Sequence, residues 1–109
     1  MSVAYQVIPY ETPKLIPFSN KTIEDILNYV DAIEIEDLDI IPIAPGILIW
    51  ANKKILQAQH NIAFKLDADD SLVFGKAIFT GPMEGSGDIE GLDNGQFSTI
   101  PNLIRFPNF

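Results

Sequence analysis

A chain of 109 residues has the length of one domain. Its 47% hydrophobic content, with seven Phe, three Tyr and one Trp, supplies a core and argues against disorder. Cysteine is absent, which removes disulfides, thiolate metal sites and a cysteine nucleophile. A net charge of −8 opposes direct binding to DNA, RNA and anionic membranes, because phosphate recognition needs Lys and Arg to displace counterions.

An acidic surface of this kind either keeps the chain soluble or engages a basic protein surface. No apolar run approaches the ~18 residues needed to cross a membrane. The start, Met1-Ser2-Val3-Ala4-Tyr5-Gln6, has no basic n-region and no long apolar stretch, so no signal peptide is expected. A cytoplasmic setting without membrane attachment follows as the expectation.

In chain order, Ser2 to Ile8 reads as a first strand, limited by Pro9 and Pro13, which lack an amide proton for a ladder. Leu15 to Phe18 reads as a second short extended piece. Ile23, Ile26, Leu27 and Val30 recur at i, i+3, i+4 and i+7, which predicts one amphipathic helix over Thr22 to Asp31. Thr22 and Asp25 have the spacing of a capping box, and Glu24 and Asp25 suit the positive end of the helix dipole.

The next nine residues hold five acids: Asp31, Glu34, Glu36, Asp37 and Asp39. Ile33 and Ile35 alternate with Glu34 and Glu36, which predicts the start of a strand with one wet face and a bulge near Asp37 and Leu38. Two readings of the acids stay open. One is a solvated edge that deters sheet-to-sheet pairing. The other is a recognition surface for a basic groove, including one that normally holds nucleic acid.

From Ile40 to Gly81 short apolar runs alternate with turn chemistry at Ala44-Pro45-Gly46, Asn52-Lys53, Gln59-His60-Asn61 and Asp67-Ala68-Asp69-Asp70. This pattern predicts an antiparallel meander. Ile47 to Ala51 is apolar on both faces, as for a central strand covered on both sides or a strand in an oligomer interface. Ile55 to Ala58 and Ile62 to Leu66 read as shorter strands. Gly75 interrupts the run Leu72 to Thr80, as at a bulge or a close backbone approach.

Glycines then punctuate a loop over residues 81–96, with Ile89 and Leu92 as its candidate pins. Apolar character returns in a tail over residues 98–109, through Ile100, Leu103, Ile104, Phe106 and Phe109. Aromatic residues there predict that the tail packs back on the domain or on a partner chain.

Candidate chemistry is sparse. His60, the one histidine, lies in a turn and reads as a surface residue. Asp67, Asp69, Asp70 and Ser71 resemble the start of a calcium loop, but Leu72 and Ile78 stand where such a loop needs Gly and Glu. Gly85-Ser86-Gly87 lacks a phosphate-binding lysine and is flanked by Glu84, Asp88 and Glu90. No cofactor and no metal are expected, and no catalytic set is evident.

The helix, Ile33-Glu34-Ile35, Ile40-Ile41-Pro42-Ile43 before Pro45-Gly46, the stretch Trp50-Ala51-Asn52-Lys53-Lys54-Ile55-Leu56, Asn61 and Val73-Phe74-Gly75-Lys76-Ala77-Ile78-Phe79-Thr80-Gly81 together resemble a family of small phage, prophage and plasmid proteins known as a domain of unknown function. The resemblance covers roughly Thr22 to Leu92. Where that family tends to carry glycine after the asparagine turn, this chain has Lys54-Ile55. The resemblance implies a small accessory protein of a mobile element and carries over no catalytic residue.

These readings converge on a single α+β domain over residues 1–109, with a mostly antiparallel sheet of about five or six strands and one packed helix. The expected function is non-enzymatic binding. Asp31, Glu34, Glu36, Asp37 and Asp39 would meet a basic partner, such as a host defence or nucleic-acid enzyme. A homo-oligomer is also expected, from the apolar Ile47–Trp50 stretch and the aromatic tail. The alternatives are an oligomer that holds a nucleotide-like ligand against Trp50, Tyr5, Asn52, Lys53 and Asn61, and a structural accessory protein without a ligand.

Overall fold

The computed structural model describes residues 2–19 and 21–107. These residues form eight strands, two α-helices and three short 3-10 turns. The fold is α+β and its strand pairs are antiparallel. Strands β1 (Val3–Val7), β2 (Lys14–Pro17), β3 (Leu38–Ala44), β4 (Ile47–Asn52) and β7 (Ala77–Thr80) make a five-stranded sheet in the order β2-β1-β7-β4-β3. Strands β5 (Ile62–Leu66), β6 (Leu72–Phe74) and β8 (Ile104–Arg105) make a second sheet in the order β6-β5-β8.

The expected single meander is thus divided between two sheets. Its run Leu72 to Thr80 breaks at Gly75, and the two halves join different sheets. Gly75 has φ +78°, and a Cβ there would meet Ile55 Cγ1 at 2.7 Å, so the crossing needs a residue without a side chain. Ile55 to Ala58, expected as a strand, is irregular and packs Ile55 under that crossing.

The large sheet has two covered faces. On one, Val7, Ile49, Ala77 and Phe79 pack against Phe64, Val73 and Ile104 of the small sheet. On the other, Ala4, Trp50 and Ile78 pack against Ile26 of α1 (Ile23–Tyr29) and against its C-cap residue Val30. Successive strand residues point to opposite faces, so β4 and β7 are apolar on both faces over Ile47–Ala51 and Ala77–Phe79. This accounts for the two-sided Ile47–Trp50 stretch within one chain, with no oligomer needed to cover it. Each large aliphatic side chain buried this way contributes about 1.5–3 kcal/mol.

Helix α1 forms as expected at its start. The Thr22 amide donates to Asp25 Oδ2 at 2.9 Å, and Ile26 and Val30 are fully buried. It ends earlier than Asp31, at Tyr29, with Val30 as its C-cap. Asp31 takes φ +57°, and the Ala32 amide donates to the Leu27 carbonyl at 2.9 Å. This is the six-to-one closure of a left-handed helix terminus, with aspartate in the place more often held by glycine.

A second helix, α2 (Asn94–Thr99), straddles the end of the expected loop and the start of the expected tail. Its capping box is complete: the Gln96 amide donates to Asp93 Oδ1 at 2.8 Å, and the Asp93 amide donates to Gln96 Oε1 at 3.0 Å. The Asp93-to-Gln96 spacing was a usable signal, masked by the surrounding glycines. Ile89 and Leu92 do pin the preceding stretch, each 1% exposed. The tail packs back on the domain through Ile100 and Ile104, while Phe109 lies outside the described residues.

Candidate functional site

The acidic segment departs from its expected form. Ile33 to Ile35 is not the start of a strand: residues Ile35–Asp37 form a 3-10 turn, and β3 begins only at Leu38. The cause is Asp37. Its Oδ2 accepts the Glu34 amide at 3.3 Å, its carbonyl accepts the Lys53 amide at 2.7 Å, and its Oδ1 lies 3.3 Å from Lys54 Nζ. A side chain that caps a turn competes with the ladder for the same backbone. Asp37 is consequently buried, at 7% exposure.

Asp31 anchors the other end. Its carbonyl accepts Asn52 Nδ2 at 3.1 Å, and its Oδ2 lies 3.0 Å from Lys76 Nζ. Between these two anchors the chain projects as a hook. Ile33 is 86% exposed and Ile35 55%, and Glu34 and Glu36 are exposed beside them. Asp39 and the half-exposed Ile40 continue the surface onto β3. Among the described residues Glu34, Glu36 and Asp39 form no ion pair.

The five acids expected to act together therefore divide by role. Asp31 and Asp37 hold the hook, and Glu34, Glu36 and Asp39 face outward from it. Sequence reasoning missed Ile33, Ile35 and Ile40 as surface residues. Alternation with acids is shared by a half-buried strand and by an exposed turn, and the Glu34-to-Asp37 cap spacing was the one signal that separates them.

The residues expected to hold a nucleotide-like ligand do not converge. Trp50 is fully buried, its indole N–H donating to Thr80 Oγ1 at 2.8 Å, so it reaches no surface site. Tyr5 lies edge-on to Phe79 at 5.6 Å, and burial raises its hydroxyl pKa above the ordinary value. Asn61 Nδ2 donates to the Leu56 carbonyl at 3.0 Å. Asn52 and Lys53 border a depression of about 80 Å³ with Asp39, Ile41 and Leu72, well below the roughly 300–1,000 Å³ of small-molecule sites.

His60 is exposed in a 3-10 turn. In the Asp67–Asp70 turn the Ser71 amide donates to Asp69 Oδ1 at 3.0 Å, and this bond lowers the Asp69 pKa. Asp67 Oδ1 accepts Arg105 Nε at 2.8 Å. Beyond the strand ends, Glu84 is raised above the ordinary glutamate pKa by sharing a hydrogen bond with the Glu90 carboxyl and by its charge. No group of three or more His, Cys, Asp or Glu among the described residues is placed to hold a metal ion. No helix among them is long and apolar enough to cross a membrane.

No family model, curated protein or solved structure matches the chain. The candidate site is the hook over residues 31–40, where Ile33 and Ile35 are exposed between two anchored ends.

Proposed function

We propose that this chain is a non-enzymatic binding protein whose hook seats in a basic, partly apolar groove of another protein. The observation that carries this reading is the 86% exposure of Ile33 on a segment pinned at both ends and flanked by Glu34 and Glu36. Apolar side chains exposed close together mark interaction sites where scattered ones do not, and Ile33, Ile35 and Ile40 lie within eight residues. The surrounding carboxylates favour a cationic partner by steering and selection more than by affinity. Nucleic-acid enzymes carry such grooves, and the resemblance to small phage, prophage and plasmid proteins supplies a setting in which one would be blocked.

The test is inhibition of purified bacterial nucleases, polymerases and DNA-translocating enzymes. The wild-type chain is expected to inhibit at least one. The variant Glu34→Lys/Glu36→Lys/Asp39→Lys, which spares the structural Asp31 and Asp37, is expected to lose that effect. Equal inhibition by both proteins would remove the acidic surface from the reading, and no inhibition of any enzyme would remove the partner class.

A further inference from the structure

A second wet apolar surface lies on the face of the small sheet turned away from the core. In the strand registers Lys65 stands beside Leu72 of β6 and Arg105 of β8. All three are exposed. Together with Ile62, Gln59 and Phe106 they border a depression of about 440 Å³. Phe106 also borders a neighbouring depression of about 280 Å³ with Ile8 and Tyr10. Leu72, Phe106 and Tyr10 are 43%, 41% and 45% exposed.

The charge of this groove is opposite to that of the chain. No acid lines the larger depression, although acids outnumber bases 15 to 7 overall. Lys65 forms no ion pair among the described residues, and Arg105 meets Asp67 through Nε. A strip of aliphatic and aromatic side chains beside a lysine and an arginine suits an exposed segment that carries isoleucines and carboxylates side by side. The hook, Ile33-Glu34-Ile35-Glu36, is such a segment. Hook and groove are both exposed in the single chain, so neither covers the other in cis.

We propose that the hook of one copy docks in the Lys65–Leu72–Arg105 groove of a second copy, covering Ile33 and Ile35 until a foreign basic surface competes for them. This inference rests on the reading of the hook as a docking element and adds its regulation. The two surfaces differ, so the contact is heterologous and builds a ring, a filament or a reciprocal pair. A hook of this length makes a small interface, which places the association in the weak, transient class.

Sedimentation equilibrium from low to high micromolar concentration tests it. The hook variant Ile33→Ser/Ile35→Ser and the groove variant Lys65→Glu/Leu72→Ser alter exposed residues, and an amide correlation spectrum checks the fold of each. Wild type is expected to associate, and each variant at least tenfold more weakly. An equimolar mixture of the two variants retains one intact groove and one intact hook, so it is expected to regain a 1:1 complex. A monomeric wild type, a variant that associates like wild type, or a mixture that stays monomeric would each overturn the proposal. If either variant misfolds, the charge-swapped pair Glu36→Lys and Lys65→Glu takes its place, with the same outcomes. Enzyme inhibition separates the two readings. The groove variant keeps its hook and should inhibit at least as well as wild type, so loss of self-association alone leaves the proposed function standing.

Discussion

Trp50 on β4 donates its indole N–H to the hydroxyl of Thr80 on β7 at 2.8 Å, and that hydroxyl in turn donates a hydrogen bond to the Gly81 carbonyl at 2.8 Å. Both residues are fully buried. The bond lies on the α1 side of the large sheet and lets the one tryptophan sit in an apolar layer without an orphaned donor.

Removing the acceptor should therefore cost more than its size implies. Thr80→Val keeps the shape and leaves the indole N–H unsatisfied, with an expected loss of about 1–3 kcal/mol. Urea unfolding followed by tryptophan fluorescence measures it, and the slope of the transition should not change. Thr80→Ser keeps the hydroxyl and should retain the hydrogen-bond part of the stability.

Asp37 should behave as the keystone of the hook. Asp37→Ala removes the cap on the Glu34 amide and the partner of Lys54. The expected cost is about 0.5–2 kcal/mol, as for loss of a helix cap. Amide shifts over residues 33–37 should collapse toward those of an unstructured segment, while those of β4 and β7 stay in place. A hook that keeps its native shifts in this variant would mean that Asp31 alone suffices to hold it.

The glycines after β7 differ in what they tolerate. A Cβ at Gly91 would meet the Phe18 carbonyl oxygen and Ser2 Cβ at 2.7 Å each, whereas one at Gly85 meets nothing within 4 Å. Gly91→Ala should destabilise by about 1–3 kcal/mol, the range of overpacking against groups that cannot step aside. Gly85→Ala should be close to neutral. Thermal unfolding of the two variants side by side checks the contrast.

Glu84 gives the Met83–Ile89 bridge a pH dependence. Its pKa is raised by a hydrogen bond shared with Glu90 and by the neighbouring charges of Glu90 and Asp88. A raised pKa means that the folded turn holds its proton more tightly than the unfolded chain. The stabilisation is therefore fully present below the ordinary glutamate range and lost as pH rises through the folded value. Hydrogen-exchange protection of the Glu84 amide, which donates to Asp88, should fall over that interval after correction for intrinsic rates. Glu84→Gln supplies the donor at every pH and should flatten the profile.

Both edges of the large sheet carry a proline whose nitrogen faces outward. The Lys53 amide bonds the Asp37 carbonyl and the Phe18 amide bonds the Ser2 carbonyl. Alternation of bonded pairs then leaves Pro42 and Pro17 in non-bonded pairs with Leu48 and Val3. Pro42→Val would restore an outward N–H next to the half-exposed Ile40. Its expected effect is faster aggregation under light scattering, with unfolding stability changed by no more than about 0.5 kcal/mol.

Much of this architecture was determined by local sequence. The period of Ile23, Ile26, Leu27 and Val30 specifies a helix wherever it sits, because a helix needs only its own backbone bonds and one apolar face. The turns at Asn52-Lys53 and Asp67–Asp70 likewise follow from side chains that satisfy nearby backbone, and the Pro45-Gly46 turn from proline's fixed φ and a glycine at φ +76°. What tertiary structure alone decided is which strands share a sheet. The jump at Gly75 and the insertion of β7 between β1 and β4 depend on contacts distant in sequence, and so does the burial of Trp50 that removes it from any surface site. The hook belongs to both levels. Its acids and isoleucines were legible as a pattern, but only the capping of Glu34 by Asp37 and the anchors from Asn52, Lys54 and Lys76 turned that pattern outward as a surface instead of inward as a strand.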